Sequence, residues 1–207
     1  MVELKPITED NFIDAFNLKL APGQDEFVSH PIRSLAQAYV YRDQCQPFGI
    51  YADGTMVGYV MVIYDYDVPE YDVWHMMIDE SLQGCGYGSE ALDKVIDYIR
   101  TKPFGDSDRV ALTCNKDNAA ALRLYERKGF VPTGAVYDDE IELVLMLGCC
   151  RRWISPTSTG SSTGTSSSRR AHATSCSTSC SRERNAQLRA ACSPIGWKGR
   201  RFRRRAT

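Results

Sequence analysis

The chain has 207 residues, 43% of them hydrophobic, and a formal net charge of −1. That length makes one domain, or one domain with an appendage, with room for a real core, and no apolar run approaches the roughly 20 residues that a membrane span requires. The opening Val2-Glu3-Leu4-Lys5-Pro6 lacks the basic and then apolar stretch of a secretion signal, so a cytoplasmic location is the expectation.

Taken in chain order, the first element is a helix entered at Thr8, whose hydroxyl can cap the amides after it. A second helix follows Ser34, with Leu35, Ala38 and Tyr39 at helical spacing. Phe48 to Ala52 and Met56 to Tyr64 read as strands joined through Asp53-Gly54, a strong hairpin signal. Tyr71 to Ile78 is a further strand, leading into Gln83-Gly84-Cys85-Gly86-Tyr87-Gly88. Leu92, Val95, Ile96 and Ile99 then place apolar side chains on one helix face. Arg109 to Cys114 is a strand, Asn118 to Lys128 a helix, and Phe130 to Tyr137 and Ile141 to Leu147 are closing strands. The expected fold class is α/β.

Charge divides the chain near Leu147. Residues 1 to 147 hold 25 Asp and Glu against 12 Lys and Arg, a net of −13, whereas residues 148 to 207 hold 13 Lys and Arg against one acid, Glu183, a net of +12. The second segment has no apolar period, and from Ser155 to Ser181 it is mostly Ser and Thr. Such a composition buries too little apolar surface to offset the entropy of ordering, so residues 148–207 are expected to be a disordered tail beside a domain of residues 1–147. The tail also has the look of a shifted reading frame. His172, Cys176 and Cys180 stand four apart, but no apolar frame surrounds them and no metal site is expected. The Arg-rich end, Arg200 to Arg205, reads as a solvated appendage rather than a specific nucleic-acid contact.

The most informative element is strand, glycine-rich turn, helix. Glycines let the backbone approach a ligand, and the first amides of the helix point outward with the positive end of its dipole, which suits a phosphate. No Lys-Ser or Lys-Thr follows the last Gly and there is no Gly-x-Gly-x-x-Gly, so two nucleotide-loop readings fail. What remains is Gln83-x-x-Gly86-x-Gly88. Downstream lies a second pattern, Leu112-x-Cys114-x-x-x-Asn118-x-x-Ala121-x-x-x-Tyr125-x-x-x-Gly129-Phe130.

Together the two patterns resemble the pyrophosphate loop and the fifth strand and fourth helix of the GNAT superfamily of acyl-CoA-dependent N-acyltransferases. Met77-Ile78-Asp79 before the loop and the early Pro22-x-Gln24-x-x-Phe27-Val28 are similar to its bacterial spermine/spermidine acetyltransferase branch. The resemblance covers residues 3 to 147. Cys114 stands where Val is common, Cys85 where the branch often has Lys, and His75 where it often has Arg. The fold implied is a single domain with a mixed, mostly antiparallel sheet, flanked by helices, whose central strands splay apart to admit the pantetheine arm.

The resemblance also implies roles. Acetyl-CoA would be the co-substrate, with no metal, held by Met76, Met77 and Ile78, by Gln83, Gly84, Cys85, Gly86, Tyr87 and Gly88, and by Asn118 and Tyr125. Tyr125 occupies the position of the general acid facing the sulfur; its ordinary alternative is a core aromatic beside Ala121 and Leu124. Asp72 sits where some members place a catalytic carboxylate, against the alternative of a solvated strand-end Asp. Strict alternation puts Asp72 on one face with Trp74, Met76 and Ile78, and His75 on the other. The acidic surface attracts cations, and Glu26, Glu70, Asp72 and Glu140 are the candidate acceptor contacts. A polyamine such as spermidine or spermine is the leading acceptor. Other small amines, aminoglycosides, protein N-termini, a homodimeric assembly and a non-catalytic acetyl-CoA sensor all remain open.

Overall fold

The computed structural model describes residues 1–148, so the expectations for the tail, including its cysteines and Arg-rich end, fall outside the described residues. Seven strands form one sheet: β1 (Val2–Pro6), β2 (Cys45–Ala52), β3 (Thr55–Asp65), β4 (Glu70–Ile78), β5 (Arg109–Asn115), β6 (Val131–Tyr137) and β7 (Glu140–Met146). Their order across the sheet is β1-β2-β3-β4-β5-β7-β6. All neighbours are antiparallel except β4 and β5. Among the described residues four α-helices complete the domain: α1 (Phe12–Asn17), α2 (Pro31–Val40), α3 (Tyr87–Arg100) and α4 (Ala119–Arg127). Among the described residues, no helix is long and apolar enough to cross a membrane.

β2 and β3 pair as a hairpin whose turn residues, Asp53 at φ 49° and Gly54 at φ 81°, have the two positive angles that the twist of a tight hairpin demands. Two cores lie on opposite faces of the sheet. On one face Val60, Val62, Tyr71, Val110, Leu112 and Leu143 pack with Leu92, Val95, Ile96 and Ile99 of α3, and α4 leans on the same cluster through Leu124 and Tyr125. On the other face Tyr59, Met61, Ile63 and Met77 pack with Ala15 of α1 and Ala38 of α2.

The structure departs from the sequence expectations at particular points. Residues 2–6 form a strand with Val2 paired to Ala52. Thr8 opens a turn instead of a helix: the Thr8 amide donates to Asn11 Oδ1 and the Asp10 amide to Thr8 Oγ1, which delays α1 to Phe12. α2 starts at Pro31, a residue favoured in a first helical turn because it has no amide to leave orphaned, and not after Ser34.

Candidate active site

Parallel pairing between β4 and β5 is brief. Tyr71 pairs with Val110 and Asp72 with Ala111, and beyond those two pairs the strands separate. Val73 to Ile78 of β4 and Leu112 to Asn115 of β5 thus face one another across an open seam. A β-bulge helps to aim β4. The β3–β4 register slips between Met61 and Val62, so that Met61 stands opposite His75 and Val62 opposite Val73, with Trp74 as the extra residue. A bulge bends its strand and interrupts the two-residue alternation.

The bulge also corrects the face assignment made from alternation. Asp72 lies opposite Ile63, on the α1–α2 face. Met76, opposite Val60, and Ile78, opposite Gly58, lie on the α3 face. His75, opposite Met61, therefore shares the side of Asp72. Its Nε2 is buried with no hydrogen-bond partner, and burial, helped by the positive charge of Arg33, pushes the imidazole down to about 4, so it is neutral near pH 7.

Asp72 is 6% exposed and stands where the seam opens. Burial pushes its carboxyl up to about 8, and the negative charges of Asp65 and Glu140 add to the effect. Tyr125 approaches from the opposite face on α4, half-buried, with its ring edge-on to Phe130 at 5.8 Å. Burial raises its phenol well above the usual range, as do the neighbouring Cys114 and Asp72. The buried Cys114 thiol is pushed up to about 12 by burial and by Glu140. Asp72, Glu140, Cys114 and Tyr125 thus sense one another across the seam.

At the far end of β4, Asp79 starts a short turn, and Gln83 Nε2 donates to Ile78 O at 3.0 Å and to Gln24 Oε1 at 2.8 Å. Gly84 at φ 79° and Gly86 at φ 87° carry the chain into α3 through left-handed conformations that L side chains rarely adopt. Added Cβ atoms at either glycine would meet nothing within 4 Å. α3 begins at Tyr87 behind Gly86, which offers no side-chain cap, so the first amides are free to face a ligand. Asn118 caps α4 by accepting from the Ala121 amide at 3.1 Å, and Cys85 is exposed. The residues fit a pyrophosphate-bearing, extended co-substrate: an uncapped helix start with open space before it, and beside it two strand edges that do not pair with each other beyond Asp72 and Ala111.

The four carboxylates expected to contact an acceptor do not form one cluster. Asp72 and Glu140 act on each other. Glu26 is exposed in a turn beside the Gln24–Gln83 pair, next to the glycine loop. Glu70 lies eight residues back from Ile78, about 26 Å along the strand, with 0% exposure and its Oε2 2.6 Å from Arg109 Nε. Asp65 and Arg109 escaped sequence reading; the alternation of acids at 70 and 72 with Arg109 two before Ala111 was their one faint signal. No group of three or more His, Cys, Asp or Glu that could hold a metal occurs among the described residues.

Comparisons with known proteins follow the same lines. Residues 12–130 match the Acetyltransferase (GNAT) family. The spermine/spermidine N(1)-acetyltransferase of Bacillus subtilis is 28% identical over 138 residues, 62% of this chain and 87% of that protein. The spermidine N-acetyltransferase of Vibrio cholerae, solved with CoA and spermine, superposes at a TM-score of 0.57 with 17% identity, covering 70% of this chain and 95% of that one. The ribosomal-protein-S18-alanine N-acetyltransferase of Escherichia coli gives 0.56 at 18% identity, over 75% and 99%.

Proposed function

The chain belongs to the Acetyltransferase (GNAT) family and is an acetyl-CoA-dependent N-acetyltransferase, and on that premise we propose that it acetylates a terminal amine of a polyamine, with Asp72 as base and Tyr125 as acid. The observation that carries the reading is that a buried carboxyl stands where β4 and β5 part and its charge acts on the phenol of Tyr125, which approaches from the other face. Acetyl-CoA supplies an activated acetyl thioester. In this reading the backbone of Gln83–Gly88 and the start of α3 hold its pyrophosphate, while the free edge of Met76–Ile78 and the cap residue Asn118 line its arm.

An amine attacks only when neutral, and a departing thiolate needs a proton. Asp72, on the α1–α2 face, takes the proton from an incoming ammonium. Tyr125, on the α4 face, gives one to the sulfur. Their ionisations oppose one another: as Asp72 ionises, its negative charge keeps the Tyr125 phenol protonated and ready to donate. The similarity to polyamine acetyltransferases and the −13 of residues 1–147 support a polycationic acceptor.

Thiol release from acetyl-CoA across a panel of amines tests the acceptor. Spermidine and spermine should exceed n-butylamine, an aminoglycoside and an N-terminal peptide. Their advantage should shrink as salt rises, because attraction between exposed charges is screened over about 10 Å at 0.1 M. A neutral-bodied amine that wins at every ionic strength would remove the polyamine reading. For Tyr125→Phe, turnover should fall about 10²-fold with acetyl-CoA affinity nearly unchanged, since the ring stays and only the transferable proton goes. Equal turnover in the two proteins would leave Tyr125 as a packing residue.

A further inference from the structure

Residues 18–30, between α1 and α2, form a loop whose ends are drawn together. His30 ties them: its Nε2 donates to Leu18 O at 3.1 Å while its Nδ1 accepts from the Ile32 amide at 3.3 Å. Within the loop the Gln24 backbone amide donates to Ala21 O at 2.9 Å, and Gln24 Oε1 accepts from the Ala21 amide at 3.2 Å. The chain thus doubles back through Pro22 and Gly23, and the segment is a compact Ω-loop rather than a loose tether. Glu26, one of the candidate acceptor contacts, is exposed two residues beyond Gln24.

The loop is fastened to the approach of the glycine-rich turn at two places. Near its start the Lys19 amide donates to Asp79 Oδ2 at 2.8 Å, and Lys19 O accepts from the Glu80 amide at 2.9 Å. Farther out, a reciprocal pair of side-chain amides spans 59 positions of sequence. Gln83 Nε2 donates to Gln24 Oε1 at 2.8 Å, and Gln24 Nε2 donates back to Gln83 Oε1 at 3.2 Å. Gln83 Nε2 also donates to Ile78 O at 3.0 Å, so both hydrogens of this amide are used within the protein. One side chain therefore joins the end of β4, the entry to the glycine-rich turn and the loop that carries Glu26. Beyond it, the space around Gly84 and Gly86 is open.

We propose that Gln24 is a positioning residue that couples the binding of the two substrates. A pyrophosphate seated on the turn after Gln83 fixes Gln83, the amide pair fixes Gln24, and Gln24 holds the loop of Glu26 in place for a cationic acceptor. The inference rests on the reading above, with the co-substrate at the glycine-rich turn and a polyamine as acceptor. Coupling of this kind is reciprocal: each ligand raises the affinity of the other by the same factor.

Calorimetry with CoA and spermidine tests the proposal, because CoA carries no acetyl group and the two can occupy the protein together without turnover. In the unmodified chain saturating CoA should tighten spermidine on the order of 10-fold, within the usual range of coupling between sites, and saturating spermidine should tighten CoA equally. Gln24→Leu is close in size and lacks both amide bonds; CoA alone should bind it as before, while the coupling factor falls to about one. Gln24→Glu keeps an oxygen for the Ala21 amide and for Gln83 Nε2 but loses the returning donor, so it should keep only part of the factor. A merely structural Gln24 would lower the melting temperature or weaken each ligand alone without changing the factor. The proposal is therefore overturned by an unmodified factor in Gln24→Leu, or by no coupling in the unmodified chain. Should Gln24→Leu fold poorly, an unmodified factor in Gln24→Glu overturns it equally. If the unmodified chain binds CoA but no spermidine, the polyamine acceptor falls instead, and the amine that releases most thiol takes its place in the same titrations.

Discussion

Replacing Asp72 by Asn should lower turnover by about 10²- to 10⁴-fold, the span of a lost general base, and yet raise the melting temperature above neutral pH. The shape of the side chain is kept, so the loss belongs to the proton-accepting charge. The stability gain follows from linkage. The folded carboxyl is pushed up to about 8, above the ordinary unfolded value of about 3.9. Between those two values the folded chain holds a proton that the unfolded chain has released, so the contribution of this residue to stability falls as pH rises through that window. Asn has no proton to lose. The variant should match the unmodified protein at pH 4 and melt higher at pH 9. Unmodified turnover should climb as pH passes about 8, and that limb should be missing in Asp72→Asn. A variant that melts lower at pH 9, or that keeps full turnover, would show that Asp72 is not a base held at a cost to the fold.

Gly86→Glu should abolish thermal protection by acetyl-CoA. A ligand at 100 times its dissociation constant stabilises a fold by about 2.7 kcal/mol, and that shift should vanish. Gly86 has φ 87° and precedes the uncapped start of α3, so a carboxylate there meets the positive helix end in place of the phosphates. Space around the glycine is open, which leaves backbone strain as the main cost to the protein alone. Gly86→Ala carries the strain without the charge and should retain part of the protection. Full protection in Gly86→Glu would sink the assignment of the loop to the pyrophosphate.

Much of this was legible in local patterns. The period of Leu92, Val95, Ile96 and Ile99 marks the face that α3 buries, Asp53-Gly54 marks the hairpin, and Asn118 does cap α4. β1 was legible in principle, with Val2 and Leu4 at strand spacing, but it is short and gains its order only by pairing to β2. What the sequence hides is set by partners distant along the chain. The bulge at Trp74 exists only in the register between β3 and β4, so alternation alone assigned Met76 and Ile78 to the side of Asp72. Glu70 carries the same charge as Asp72 two positions away, and nothing local tells that Arg109, 39 positions on, would meet one and not the other.

A sheet of this kind has four open borders. Two are outermost, at β1 and β6, and exposed borders invite pairing with other chains. β1 ends in Pro6 and carries Glu3 and Lys5, while β6 holds Pro132 and loses register with β7 between Pro132 and Val136, all of which discourage a stranger's strand. The other two borders face inward, along Val73–Ile78 and Leu112–Asn115, and are shielded by their position within the domain. The unpaired backbone along the parting of β4 and β5 thus lies in the middle of the strand order and not at its ends, where a strand from another chain would add.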